Sequence, residues 1–222
     1  MHVTDVVIKR ASTRAFLPRP VEGAVVRELI EQASHAPSGG NLQPWRVHAL
    51  AGQVLQEFTA LIADKLAKNE REQPEYAVYP PNLWEPLRAR RKRAGDQRYA
   101  ALGIAREQNA QQVLEARNYR FFGAPVGLFF FLDRRAGPPQ WSDTGMFMQT
   151  LMLLAVERGL ATCPQEVWSN WPATVTRFCA IPESHMLFAG MSLGYADTAS
   201  PMNGYTTERA GFDEFASMAG FS

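Results

Sequence analysis

Cysteine is nearly absent: Cys163 and Cys179 are the whole complement of a 222-residue chain. Two thiols sixteen positions apart make neither a disulfide framework nor a four-ligand zinc site, so a reducing cytoplasm is the expected setting. Histidine is scarce too, with four residues at no ligand spacing, and no metal is expected. An excess of one charge is also missing. Lysine and arginine number 23 against 22 aspartates and glutamates, which removes the field that would draw the chain to nucleic acid or anionic lipid. Any charged site must therefore be local. No long hydrophobic run exists either: the stretch from Val126 to Leu132 is far below the roughly 20 residues of a membrane span. The opening residues mix Asp5, Lys9, Arg10 and Arg14 with isolated valines, unlike a secretory signal. A soluble protein with no membrane partner is expected. Internal repeats, low-complexity tracts and heptads are absent.

What is present suits one domain over residues 1–222, since 46% apolar residues can bury a sizeable core. Val25, Val26, Leu29, Ile30 and Ala33 recur at helical spacing, with a stop expected near Ala36. A strand follows from Trp45 to Leu50, then an amphipathic helix beyond Gly52 carrying Leu55, Phe58, Ile62 and Leu66. Between Asn69 and Phe122 the texture changes. Prolines 74, 80, 81 and 86 and a basic run from Arg88 to Arg93 mark an inserted lid segment, around 70–122. Its first half reads as loop; helix is expected in its second half, where Leu102, Ile104, Val113 and Leu114 accompany the helix formers from Ala105 to Arg117. Val126 to Leu132 reads as a strand buried on both faces. Thr144 to Gly159 reads as a helix apolar nearly all round and enclosed by protein, partly through a dimer, and Met186 to Leu193 as a further strand. The arm 198–222 is turn-rich, with Phe212, Phe215 and Phe221 as anchors on a second subunit. The order gives an α+β fold, a central sheet flanked by helices.

Two short segments carry most of the chemistry. Arg10, Ser12 and Arg14 place two guanidiniums and a hydroxyl within five residues, and Pro37, Ser38, Gly39 and Asn41 lie on a glycine loop whose N–H groups can approach a ligand closely. Together they look like an anion site. With Gly159 to Glu166, Ile181–Pro182–Glu183, Ala189 to Tyr195 and Pro201 to Arg209, in that order, the chain resembles the FMN-dependent NAD(P)H nitroreductases. The resemblance implies a mixed or antiparallel sheet in an intertwined two-fold homodimer with FMN at the interface. It implies that Arg10 and Arg209 hold the phosphate, Ser12 the ribityl chain or phosphate, and Arg14 the ribityl chain and ring O2 edge. Pro37, Ser38, Gly39 and Asn41 would come from the partner, and Pro164, Gln165 and Glu166 would meet the reactive ring edge through main-chain atoms. Some members carry glutamate at the position of Gln165, and many carry further arginines near Asn203 to Thr206, where this chain has none.

The implied reaction is reduction of nitroaromatics, nitrobenzoates among them, and of quinones, by NADH or NADPH in a ping-pong cycle. The dinucleotide fingerprint that would choose between the two nicotinamides is missing. In the insertion, Tyr76, Tyr79, Trp84, Phe121 and Phe122 are candidates for an aromatic lid over a flat small-molecule acceptor, with Arg88 to Arg93 drawing in a carboxylate or nitro group. Two other functions fit less well. Reductive dehalogenation or dehydrogenation of a small metabolite would share the fold, but the glutamate–tyrosine–lysine lid of the dehalogenases finds no convincing match. Nucleic-acid binding by the basic run with Trp84 and Tyr99 is opposed by the near-zero net charge and the lack of a motif.

Overall fold

The computed structural model describes residues 2–102 and 110–221. Four strands form one antiparallel sheet: β1 (Arg46–Ala51), β2 (Val126–Asp133), β3 (Ala161–Gln165) and β4 (His185–Gly194), in the spatial order β1-β2-β4-β3. Strand β2 is central, and seven of its eight residues are buried. Alternation splits them between two cores. Phe129 and Phe131 join Phe58, Phe121 and Trp168 on one face, while Leu128 and Phe130 join Leu29, Phe147 and Leu151 on the other. Each such side chain contributes about 1.5–3 kcal/mol by leaving water.

Helices cover both faces. Helices α1 (Val3–Lys9), α2 (Gly23–Ala33) and α3 (Gly52–Ala67) precede the insertion, which carries α4 (Leu87–Ala101) and α5 (Ala110–Asn118). After β2 come α6 (Pro138–Glu157) and, between β3 and β4, α7 (Pro172–Phe178). Helix α6 packs with α2 on one face of the sheet, and α3 and α7 lie on the other.

Several expectations change. The first half of the insertion is not all loop, because α4 begins at Leu87 and contains the whole basic run. Ile104 and Ala105, read as helical, lie outside the described residues. Helix α6 starts earlier than Thr144 and is not enclosed all round: Gly145 and Met146 are exposed on the single chain. The segment from Gly159 to Glu166, given no secondary structure above, is largely strand β3. Phe121 is not a lid residue. Phe121, Phe122 and Gly123 take left-handed φ of 50°, 55° and 82°, which turns the Phe121 ring inward, fully buried, over Gly127.

That ring leaves no space for a Cβ on Gly127, which would sit 2.6 Å from Phe121 Cζ. Gly127→Ala is therefore expected to cost about 1–3 kcal/mol through overpacking. Calorimetry should show a melting point lower by about 2–4 °C per kcal/mol.

Candidate active site at the sheet edge

Strand β3 ends the sheet and would present an open edge, yet the chain leaving α1 covers it. Thr13 N–H donates to Thr162 O at 2.9 Å, and Ser12 bridges Thr162 in parallel. This short pairing places Arg10, Ser12 and Arg14 beside Cys163, Pro164, Gln165 and Glu166. The tail is stitched to the same segment. Asn203 Oδ1 accepts from Arg14 N–H at 2.8 Å, and Asn203 Nδ2 donates to Ala15 O and Asp197 O, both at 2.9 Å. The Arg14 guanidinium donates to Ser12 O at 3.1 Å and meets the Tyr205 hydroxyl at 3.0 Å.

Arg10 and Arg209 converge. Burial first, and then the Arg209 charge, lower the Arg10 pKa below its usual value. Arg209 is held by Thr207 O and Oγ1, each at 2.8 Å, and by Glu208 O at 3.1 Å. Among the described residues neither arginine has a carboxylate partner. Two like charges held close without a counter-ion are suited to an anion.

Arg14 of the same segment lines a cleft of about 1250 Å³, walled also by Tyr76, Phe122, Cys163 to Val167 and one side of α4; Arg10, Ser12 and Arg209 are not among its lining residues. Of the expected lid, Tyr76, Tyr79, Arg88 and Phe122 line it, whereas Trp84 does not and stands 58% exposed. Tyr76 donates its hydroxyl proton to Phe188 O and packs its ring against Trp141 and Phe188. Burial, then the Glu166 charge, push its pKa up to about 12, so it is a neutral wall residue. The basic run is mostly spoken for: Arg88 pairs with Glu85, Lys92 with Asp96, Arg90 with Glu214 and Arg93 with Glu208. It is therefore not an open cationic stripe for nucleic acid.

The glycine loop lies away from this cleft on the same chain: Pro37, Ser38, Gly39 and Asn41 are not among its lining residues. Left-handed Gly40, Asn41 and Gln43 shape it. Gln43 N–H donates to Ser38 Oγ at 3.0 Å, and Gly39 N–H donates to the buried Asp143 carboxylate at 3.2 Å.

The Gln165 side chain is engaged within the fold. It is buried, with Nε2 donating to Asn118 O and Oδ1 at 2.7 and 2.5 Å, and Oε1 accepting from Ser192 Oγ at 2.8 Å. Nothing of the amide is left for a ligand. Glu166 is exposed at the start of the turn Glu166–Asn170 and faces the cleft. Sequence reasoning missed Asn118, Ser192, Asn203, Tyr205 and Asp143, because each acts through partners far away in the chain. The α4 stripe of Arg88, Arg91, Lys92, Gly95, Arg98 and Tyr99 was readable as helical spacing, had the helix been recognised.

A family model described as the nitroreductase family matches residues 7–195. The chain belongs to the nitroreductase family. It is 36% identical to a 4-nitrobenzoate reductase of Pseudomonas putida over 97% of this chain and 95% of that one. It superposes on the crystal structure of an FMN- and NADPH-dependent nitroreductase, NfnB, from Sphigopyxis sp. strain HMH with TM-score 0.95 at 42% identity, covering all of both chains. The FMN-dependent NfnB of Mycobacterium smegmatis, in complex with NADPH, matches with TM-score 0.92 at 32% identity over 98% of each chain. The α+β antiparallel architecture is thus that of nitroreductases.

Two measurements test this site as a folded object. Gln165→Glu would set a carboxylate against the Asn118 backbone carbonyl, which can only accept. Denaturant titration should show a loss of at least about 2 kcal/mol. Burial pushes the Cys163 and Cys179 thiols up to about 11 and 12. Alkylation of the native protein should stay slow through pH 8–9, where a free thiol ionises, and become fast only on unfolding.

Proposed function

We propose that this protein is an FMN-dependent oxidoreductase that uses NADPH or NADH to reduce nitroaromatic compounds, nitrobenzoates among them, and also quinones. The observation that carries the reading is the convergence of Arg10 and Arg209, without a counter-ion, beside a cleft walled by Arg14 and the Gln165–Glu166 backbone. These residues fit FMN: a dianionic phosphate for the paired guanidiniums, and a flat ring for the cleft. Bound FMN supplies a hydride acceptor and donor at a single ring atom.

The chain's own part is orientation and electrostatics. Arg10 and Arg209 grip the phosphate, with Ser12 beside it on the ribityl side. Arg14, fixed by Tyr205 and Ser12, keeps a positive charge at the ring edge that gains negative charge on reduction, stabilising it without reorganisation. Pro164, Gln165 and Glu166 present main-chain atoms to the reactive edge, and the Asn118–Gln165–Ser192 network holds that backbone still. Around Asn203 to Thr206, where many family members carry further arginines, this chain has none, and Asn203 and Tyr205 there position Arg14. No protein group is needed as a base in the hydride step.

The reading includes a homodimer. Pro37, Ser38, Gly39 and Asn41 do not reach the cleft of their own chain, and a second copy would bring them to it. One cleft serving both nicotinamide and acceptor gives a ping-pong order. Two free thiols suit a reducing compartment, the cytoplasm.

The purified protein should show a flavin spectrum that anaerobic NADPH bleaches and 4-nitrobenzoate restores. Bleaching without restoration would remove the acceptor and keep the flavoprotein; a colourless protein unable to take up FMN would overturn the reading. Arg209→Ala should weaken FMN binding about 10–100-fold, the range for loss of a charged hydrogen bond, as measured by fluorescence titration. A monomer in sedimentation that binds FMN at full affinity would sink the shared site.

A further inference from the structure

Helix α4 has two working sides. Arg90 and Arg93 fasten it to the tail through Glu214 at 2.9 Å and Glu208 at 3.7 Å. Arg88, Arg91, Lys92, Gly95, Arg98 and Tyr99 form the opposite side and wall the cleft. The cations on that wall are not equivalent. Arg88 is satisfied by Glu85 at 2.7 Å and Lys92 by Asp96 at 2.8 Å. Arg91 has no carboxylate partner among the described residues, and its guanidinium lies 3.9 Å from the centre of the Tyr79 ring. The ring face holds the guanidinium carbon, and among the described residues no acceptor takes its N–H fork, the group that binds a phosphate bidentately.

Depth then separates Arg91 from the other unpaired arginine of this wall. Arg98, whose Nε is buried without a partner, is close enough to Cys163 for its charge to act on that thiol, which places it near the floor. Arg91 precedes it by seven residues, two helical turns or about 10 Å along the axis, toward the mouth. A dinucleotide whose nicotinamide reaches the floor trails its two phosphates and adenosine toward that mouth. The 2′-phosphate that distinguishes NADPH from NADH is on the adenosine end.

We propose that Arg91, seated on Tyr79, binds the 2′-phosphate of NADPH and makes this chain select NADPH over NADH. The inference rests on the reading of the cleft as a nicotinamide site. It assigns Arg88 and Lys92 a smaller part, because each would have to leave an existing carboxylate to reach the ligand.

The test compares kcat/KM for NADPH and NADH, with one acceptor, in the FMN-loaded wild type, Arg91→Ala, Arg88→Ala and Lys92→Ala. Calorimetric titration with adenosine 2′,5′-bisphosphate and with adenosine 5′-monophosphate gives a readout independent of turnover. The wild type should favour NADPH at least about tenfold, and Arg91→Ala should lower the NADPH-to-NADH ratio about 10–100-fold, the worth of a charged hydrogen-bonded pair. Arg88→Ala and Lys92→Ala should lower it less. The bisphosphate should bind the wild type more tightly than the monophosphate, and Arg91→Ala should erase that difference. Equal use of the two nicotinamides by the wild type overturns the inference and leaves the nicotinamide site standing. So does an Arg91→Ala variant in which both nicotinamides suffer alike, which would mark Arg91 as a mere support for Tyr79. Oxidation of neither nicotinamide by the flavin-loaded wild type overturns the underlying reading with it.

Discussion

The site depends on one piece of backbone pairing, the contact of the Arg10–Arg14 segment with strand β3. An edge strand offers unpaired N–H and C=O groups that must be covered or will pair elsewhere. Here Thr13 N–H takes Thr162 O, and two further bonds, Leu17 N–H to Tyr195 O and Asp197 N–H to Ala15 O, carry the same segment on past the end of β4. Covering the edge and delivering Arg14 to the cleft are one act. Stability of the fold and placement of the charged side chains cannot be separated at this edge.

Charge at the cleft is arranged by subtraction as much as by addition. Net charge is close to zero, and Arg88, Arg90, Lys92 and Arg93 of the insertion are paired to nearby carboxylates, where exposed ion pairs contribute about 0–1 kcal/mol. Among the described residues, Arg10 with Arg209, Arg14 held by neutral oxygens, and Arg91 with Arg98 on the wall of α4 have no carboxylate partner. Like charges placed so repel one another, and an anion relieves that repulsion. Glu115 and Glu166 bring negative charge to the lining, and Glu166 holds Tyr76 more firmly in its neutral form.

The legible part of the fold was the part with apolar periodicity. Helices α2 and α3 and strands β1, β2 and β4 carry Leu29, Phe58, Leu50, Phe130 and Leu193 at the expected spacings, and the elements lie where those spacings put them. Strand β3 was hidden by Pro164 and by its polar residues; proline is tolerated because β3 is at the edge. Helix α4 was hidden for the opposite reason, since a helix of mostly arginine, alanine and polar residues, none of them buried, shows no core stripe. Short α7 starts at Pro172 and takes its capping from Glu72, whose carboxylate accepts from Ala173 N–H at 2.8 Å. In the site, Arg10, Arg14 and the Gln165–Glu166 turn were found by family resemblance. Asn118, Ser192, Asn203 and Tyr205 were not, because a polar residue announces its role only when the fold supplies the partner.

These partners explain how the insertion is held against the body of the fold. Its first half is fixed to the body by Glu72 at the start of α7, by Glu75 against Arg134, and by Tyr76 on the Phe188 carbonyl. Its helix is fixed to the tail by Arg90 and Arg93, and its far end, at Asn118, receives the Gln165 amide. The tail that holds α4 also carries Arg209 and the Asn203 and Tyr205 that orient Arg14. On the proposed reading, a phosphate held by Arg209 would draw on the same tail that anchors α4. Cofactor binding and the position of the cleft wall would then be linked through exposed ion pairs, each contributing about 0–1 kcal/mol.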